Sequence, residues 1–266
     1  MKNSNAASSA QLKYQAKGQL FERMGTVIGA FLVHMLLYLP FAYAVEYINT
    51  SKITGLIIYF AASIVITLYA QIFIFGEDYI FLSAASECEV AVSDVFYGFK
   101  NKPWKIILVR AIPAVLSVLV KIPGFVLLLS ISQMLPDTQT LLSVFQGGVT
   151  EEFLELSMEL LPYTSLYFAL KIFEWAVVIA LDIIFSQSLF FMLDYPDYSV
   201  TETIRHSVRM MKGNVWRYLY IKISFIPWYL LGALTLVAFL WVYPYYRATM
   251  ANLYLDIIKT RDEGEY

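Results

Sequence analysis

In 266 residues the chain carries 59% hydrophobic and 17% aromatic residues but only 15% charged ones, against roughly 25% charged in an ordinary soluble domain. With a mean hydropathy of +0.62, this composition excludes a water-soluble globule, a disordered chain and a collagen-like repeat, because the apolar surface exceeds what polar groups can cover. The single cysteine, Cys88, excludes an internal disulfide, and a net charge of −2 argues against a nucleic-acid partner, which leaves a multi-pass helical protein of the cell membrane with the lipid bilayer as its first partner.

Residues 1–23 read as a polar cytoplasmic tail whose first ten residues are a disordered tip. A hydrocarbon core of ~30 Å needs ~20 apolar residues per helix. Runs of that kind lie at Met24–Val45, Ile53–Phe75, Trp104–Ile131 and Leu166–Leu193. The first of them is too long for a signal-peptide core and reads as a retained span. A fifth apolar region, Trp216–Ile258, is broken by Pro227 and Pro244 and is too long for one span, so two helices joined around Leu231–Leu236 are expected.

Lys and Arg near span ends mark the cytoplasmic side. They fall at Lys2, Lys13, Lys17 and Arg23, at Lys100, Lys102 and Lys105, at Arg205, Arg209, Lys212 and Arg217, and at Arg247, Lys259 and Arg261. Six spans put all of these inside, with Lys52 alone outside; five spans move the last three across. The expectation is an all-α polytopic bundle of six spans, five being the alternative, with one membrane domain over 24–258 and a second cytoplasmic tail over 259–266.

Both cytoplasmic loops contain Ser-x-x-Glu, at Ser86–Glu89 and Ser199–Glu202, the capping box that starts a helix. In the second loop Val200, Ile204, Val208 and Met211 form an apolar stripe beside Arg205, Arg209 and Lys212, and Gly213 ends it. Lys100-x-x-x-Trp104 and Lys212-x-x-x-Trp216 repeat the same spacing. Two amphipathic elbow helices in the headgroup layer, anchored by Trp104 and Trp216, are the expectation, with the basic face as a contact for anionic lipid or a membrane-protein partner.

No zinc-protease, nucleophile-elbow, Walker or dinucleotide pattern occurs, so neither a catalytic set, a metal site nor a cofactor is expected. Within the spans the costly groups are His34, Lys121, Glu174 and Asp182. Lys121 and Glu174 stand at matched depth and are expected to pair between spans three and four, with Lys171 as the rival partner. Either these groups neutralise one another between packed helices, or Lys121, Glu174 and Asp182 line a path for a small solute or proton. The loop Ser132–Ser165 carries acids but no bases, and Thr150 is positioned to cap a short helix running to Leu161.

Five motifs in this order resemble a bacterial integral membrane family catalogued as domain of unknown function 975. They are Gly76-x-x-Tyr79-x-x-Leu82, Ser93-Asp94-Val95-Phe96-x-Gly98-Phe99, Ser207-x-x-Met210-Met211-Lys212-Gly213-Asn214, Ser224-Phe225-Ile226-Pro227-Trp228-x-Leu230-Leu231, and Pro244-Tyr245-Tyr246-x-Ala248-x-x-Ala251-x-x-Tyr254. Pro227 departs from the Gly usual in the pattern. The resemblance implies a helical membrane architecture and carries no assigned activity or site residue.

Overall fold

A computed structural model describes residues 6–50, 52–135, 151–235 and 237–262. Among them every regular element is helical: α1 (Ser9–Phe21), α2 (Met24–Glu46), α3 (Ile53–Ala85), a 3-10 helix (Val92–Phe96), α4 (Tyr97–Lys100), α5 (Pro103–Met134), α6 (Glu151–Phe185), α7 (Ser188–Asp194), α8 (Val200–Met211), α9 (Val215–Thr235) and α10 (Phe239–Asp262). Four helical stretches are long and apolar enough to cross a membrane: Met24–Glu46, Ile53–Ala85, Pro103–Met134 and Leu154–Asp194. The chain divides into two compact units, one of residues 1–114 and 183–266 and one of residues 115–182.

In the first unit the polar beginning of the chain is folded. Ser8 caps α1, its hydroxyl accepting from the Gln11 amide while the Gln11 side chain accepts from the Ser8 amide. Helical spacing then places Leu12, Ala16 and Leu20 on one stripe, and all three are buried in a cluster with Leu253, Tyr254 and Ile257 of α10. Burying two leucines contributes roughly 3–6 kcal/mol relative to leaving them in water. The tail expected over residues 1–23 is therefore a docked helix from Ser9 onward; residues 1–5 lie outside the described residues. At the other end α10 continues through Asp262, so the expected tail over 259–266 begins as helix.

At 33 residues α3 is about 50 Å long and outruns a ~30 Å core. Its inner part crosses the following segment at very close range. A methyl added at Gly76 would sit 2.1 Å from the Val95 carbonyl oxygen, and one added at Gly98 would sit 2.4 Å from that of Ile72, so only glycine fits at either side of the crossing. Phe73 packs edge-on to Phe96 and Phe99, and Tyr79 stacks on Tyr97 at 3.9 Å. The first two motifs quoted above are thus the two halves of one packed contact.

The first capping box does not form. Ser86 ends α3 as its C-cap, and the next helix starts only at Val92, where the Asp94 carboxylate accepts from the Ala91 amide at 2.8 Å. After α3 ends at Ala85, Glu87 takes φ 60° and the chain stays non-helical to Ala91, so no helix starts from Ser86. The second box forms as expected: Ser199 and Glu202 cap α8, and Gly213 takes φ +86° after it. The buried face of α8 is Thr203, Ser207, Met210 and Met211, one position round from the expected stripe, because the Ser207 hydroxyl donates to the Ile184 carbonyl at 2.7 Å and draws the helix in on that side. Trp104 and Trp216 each stand second in the long helices α5 and α9. The expected break in the last apolar region falls between Thr235 and Phe239.

In the second unit α6 starts at Glu151 and runs without interruption past Leu161, so the expected separate surface helix is the beginning of that long helix. Thr150 and the rest of 136–150 lie outside the described residues.

Candidate functional site

The densest group of buried ionisable side chains lies in the first unit, where α2, α3 and α10 meet. Consecutive residues on a helix project about 100° apart, so Glu77 and Asp78 of α3 serve different neighbours. Glu77 takes His34 Nδ1 of α2 on one carboxylate oxygen at 2.8 Å and the Tyr243 hydroxyl of α10 on the other. Asp78 takes the Arg247 guanidinium, one helical turn along α10 from Tyr243. His34, Glu77 and Asp78 are 2–3% exposed. The His34 ring stacks on Phe73 at 5.3 Å and Tyr243 stacks on Phe31 at 4.5 Å, so aromatic faces seal the cluster from both sides.

Charge is balanced locally. Asp78 meets the Arg247 guanidinium directly and Glu77 meets His34, while Arg110 of α5, donating to the Phe185 carbonyl at 3.2 Å, also acts electrostatically on Asp78. Burial makes a lone charge here very costly and a compensated set tolerable. Among the described residues two buried nitrogens of this cluster, His34 Nε2 and Arg247 Nε, have no hydrogen-bond partner.

A second polar zone ties the ends of the chain together. Arg217 of α9 pairs with Asp256 of α10 and donates to the Ala7 carbonyl at 2.8 Å, while the Ala7 amide donates to Asp256 at 3.1 Å. Gln19 and Asn252 exchange amide hydrogen bonds at 2.7 and 3.1 Å, and the Tyr254 hydroxyl donates to Asp194 at 2.6 Å. A polar cleft of about 890 Å³ opens beside these groups, with Gln15, Glu87 and Lys259 on its walls.

Of the residues singled out from sequence, His34 alone enters the buried cluster. In the second unit Lys121 is exposed and makes no ion pair among the described residues; Glu174, 7% exposed, is held by Lys171 at 2.8 Å on its own helix. The rival partner is the real one, since i,i+3 spacing brings it within reach without any demand on helix packing. Asp182 is half-buried. Arg205 and Arg209 on α8 and Lys212 at its C-cap are exposed, and so are Trp104 of α5 and Trp216 of α9. Glu77, Asp78, Tyr243 and Arg247 were missed. Span two was expected to stop at Phe75, which left the two acids in a loop, and Arg247 was counted with the cytoplasmic tail. The usable signal was the Tyr243/Arg247 spacing of four on one helix face, together with the acidic pair Glu77-Asp78 directly after an apolar run.

Among the described residues no group of three or more His, Cys, Asp or Glu is placed to hold a metal ion. An all-helical chain with four apolar helices of membrane-crossing length fits a helical membrane protein. It belongs to the family described as protein of unknown function (DUF975), whose sequence model matches residues 1–261. No curated protein and no solved structure matches the chain.

Proposed function

We propose that the protein is a non-catalytic, multi-pass module of the cell membrane, with both termini in the cytoplasm, that works by binding anionic lipid headgroups through α8. The observation that carries this is the contrast in how its charges are used. The buried carboxylates of the first unit are spent on His34, Tyr243 and Arg247, whereas Arg205, Arg209 and Lys212 stay exposed and make no ion pair among the described residues. An exposed cationic face followed within one turn by exposed Trp216 suits the negative headgroup layer, where each Lys or Arg contributes about 1 kcal/mol. The residues of the family-like motifs support the same reading, since Ser207, Met210, Met211, Ala248, Ala251 and Tyr254 are all buried packing positions. The distribution of Lys and Arg supports both termini inside whether the chain crosses six times or four times with a re-entrant last pair.

Reconstituted protein with spin-labelled lipids tests this. Wild type should immobilise phosphatidylglycerol in preference to phosphatidylcholine, and the triple change Arg205→Glu, Arg209→Glu, Lys212→Glu should erase the preference at unchanged yield. Equal affinity for both lipids in wild type, or a preference that survives the triple change, overturns the proposal. Transport is the second reading, favoured by the unpartnered buried His34 Nε2 beside Glu77.

A further inference from the structure

The last helix is aligned with α3 closely enough to measure how far it reaches. Tyr243 meets Glu77, Arg247 meets Asp78, and Gln19 joins Asn252 to the Ala85 carbonyl, so α10 and α3 advance in parallel from the buried cluster toward the chain termini. In the opposite direction α10 has only four residues left, Phe239 being the last, and the turn is reached at Val237, about 9 Å beyond the cluster at 1.5 Å per residue. From the same level α2 continues from His34 to Glu46, about 18 Å, and α3 from Glu77 back to Ile53, about 36 Å. The α9–α10 turn therefore stops about 9 Å short of the α2 end and about 27 Å short of the α3 end.

Sequence agrees with that shortfall. Between Lys222 and Arg247 lie 24 uncharged residues, whereas two full crossings need about 40. Shared between two legs they give about 18 Å of depth, little more than half the core. The base of the pair is polar: Lys13 of α1 lies over the Phe225 ring at 4.7 Å, and Arg217 joins Asp256. The flank above that base is apolar and open, with Ile223, Ile226, Leu230 and Leu234 exposed on one face of α9 at spacings of three and four, and Val237 and Trp241 exposed at the turn and just beyond it.

We propose that α9 and α10 form a re-entrant hairpin that enters the bilayer from the cytoplasmic side and turns back inside the hydrocarbon, its exposed edge solvated by acyl chains, so that the chain crosses fully four times. A turn at such depth has to satisfy its own backbone. Here the Thr235 hydroxyl donates to the Leu231 carbonyl at 2.9 Å and accepts from the Ala238 amide at 3.4 Å, and the Leu240 and Trp241 amides donate back to Val237 and Ala238 at 3.1 Å. Phe239 closes on Gly232, where an added methyl would lie 3.1 Å from its ring. This inference rests on membrane insertion alone and is independent of the headgroup reading of α8.

The test uses a Cys88→Ser background carrying Val237→Cys, Lys52→Cys or Arg261→Cys. A bimane probe on Val237→Cys should be quenched most by lipids brominated deep in the acyl chain, and the unlabelled thiol should resist impermeant maleimide from the face where Lys52→Cys reacts and from the face where Arg261→Cys reacts. Labelling from the Lys52 side, or strongest quenching by headgroup-level bromine, would mean a full crossing and overturns the hairpin. Labelling only from the Arg261 side would mean that the tip never enters the bilayer, and overturns it equally.

Discussion

Asp78 and Arg247 are worth less as a pair than the sum of their separate losses suggests. Asp78→Asn leaves a buried guanidinium short of its carboxylate, which should cost about 3–5 kcal/mol, while joint replacement by Leu and Met should cost far less because no stranded charge remains. Thermal unfolding in detergent of the two singles and the double decides this, and a single change costing under about 1 kcal/mol refutes it. At His206 the relevant variable is pH. Burial first, then the positive charges of Arg261 and Arg209, hold its ring below the ordinary imidazole range, and the neutral ring stacks on Phe191 at 4.7 Å. A group depressed in the folded state lends its stability above its unfolded pKa, near 6.5, and loses it as pH falls from there through the folded value. Melting temperature should accordingly drop between pH 7.5 and pH 5 in wild type, and drop less in His206→Phe; equal drops count against the assignment.

For whole elements, the legible features are those decided by neighbours in sequence. The α8 cap was readable because Ser199 and Glu202 satisfy each other's backbone within one turn, and Ser199→Ala should cost about 1 kcal/mol, read as faster amide exchange at Glu202 and Thr203. The identical pattern at Ser86 failed because Ser86 closes α3, packed before that along the aromatic crossing, and Glu87 takes φ 60°, which a first helical turn cannot hold. Gly76 marks that crossing: Gly76→Ala drives a methyl onto a carbonyl and should cost at least roughly the 1–3 kcal/mol of an overpacked core, whereas Gly18→Ala on α1 meets nothing within 4 Å and should stabilise by up to about 1 kcal/mol. Comparing the two melts checks both at once. The buried cluster was hidden for the converse reason. Its bonds join residues 43, 166 and 169 positions apart, and only the folded register of α10 on α3 brings them together.

At the scale of the molecule, the beginning of the chain is a structural member. Deleting residues 1–21 would uncover Leu253, Tyr254 and Ile257 and strand Arg217 and Asp256 without their Ala7 contacts. The truncated protein should melt several degrees lower and aggregate faster in detergent, and an unchanged melt would restore the view of residues 1–23 as a passive tail. Composition and apolar run length sufficed for the four long helices. They misjudged this helix because its stripe of Leu12, Ala16 and Leu20 is three residues in an otherwise polar stretch, below what a span search registers.

Ala7 and Asp256 are 249 positions apart, which imposes an order on biosynthesis. At about 5–20 residues per second a ribosome needs about 12–50 s after making the first helix before its docking partner emerges. For that interval Leu12, Ala16 and Leu20 have no α10 to cover them, and the open stripe is a place where a chaperone or the bilayer surface can hold the nascent chain. Closure of α1 onto α10 is then the last clasp of assembly, and a chain arrested before Tyr254 is left with its first helix undocked.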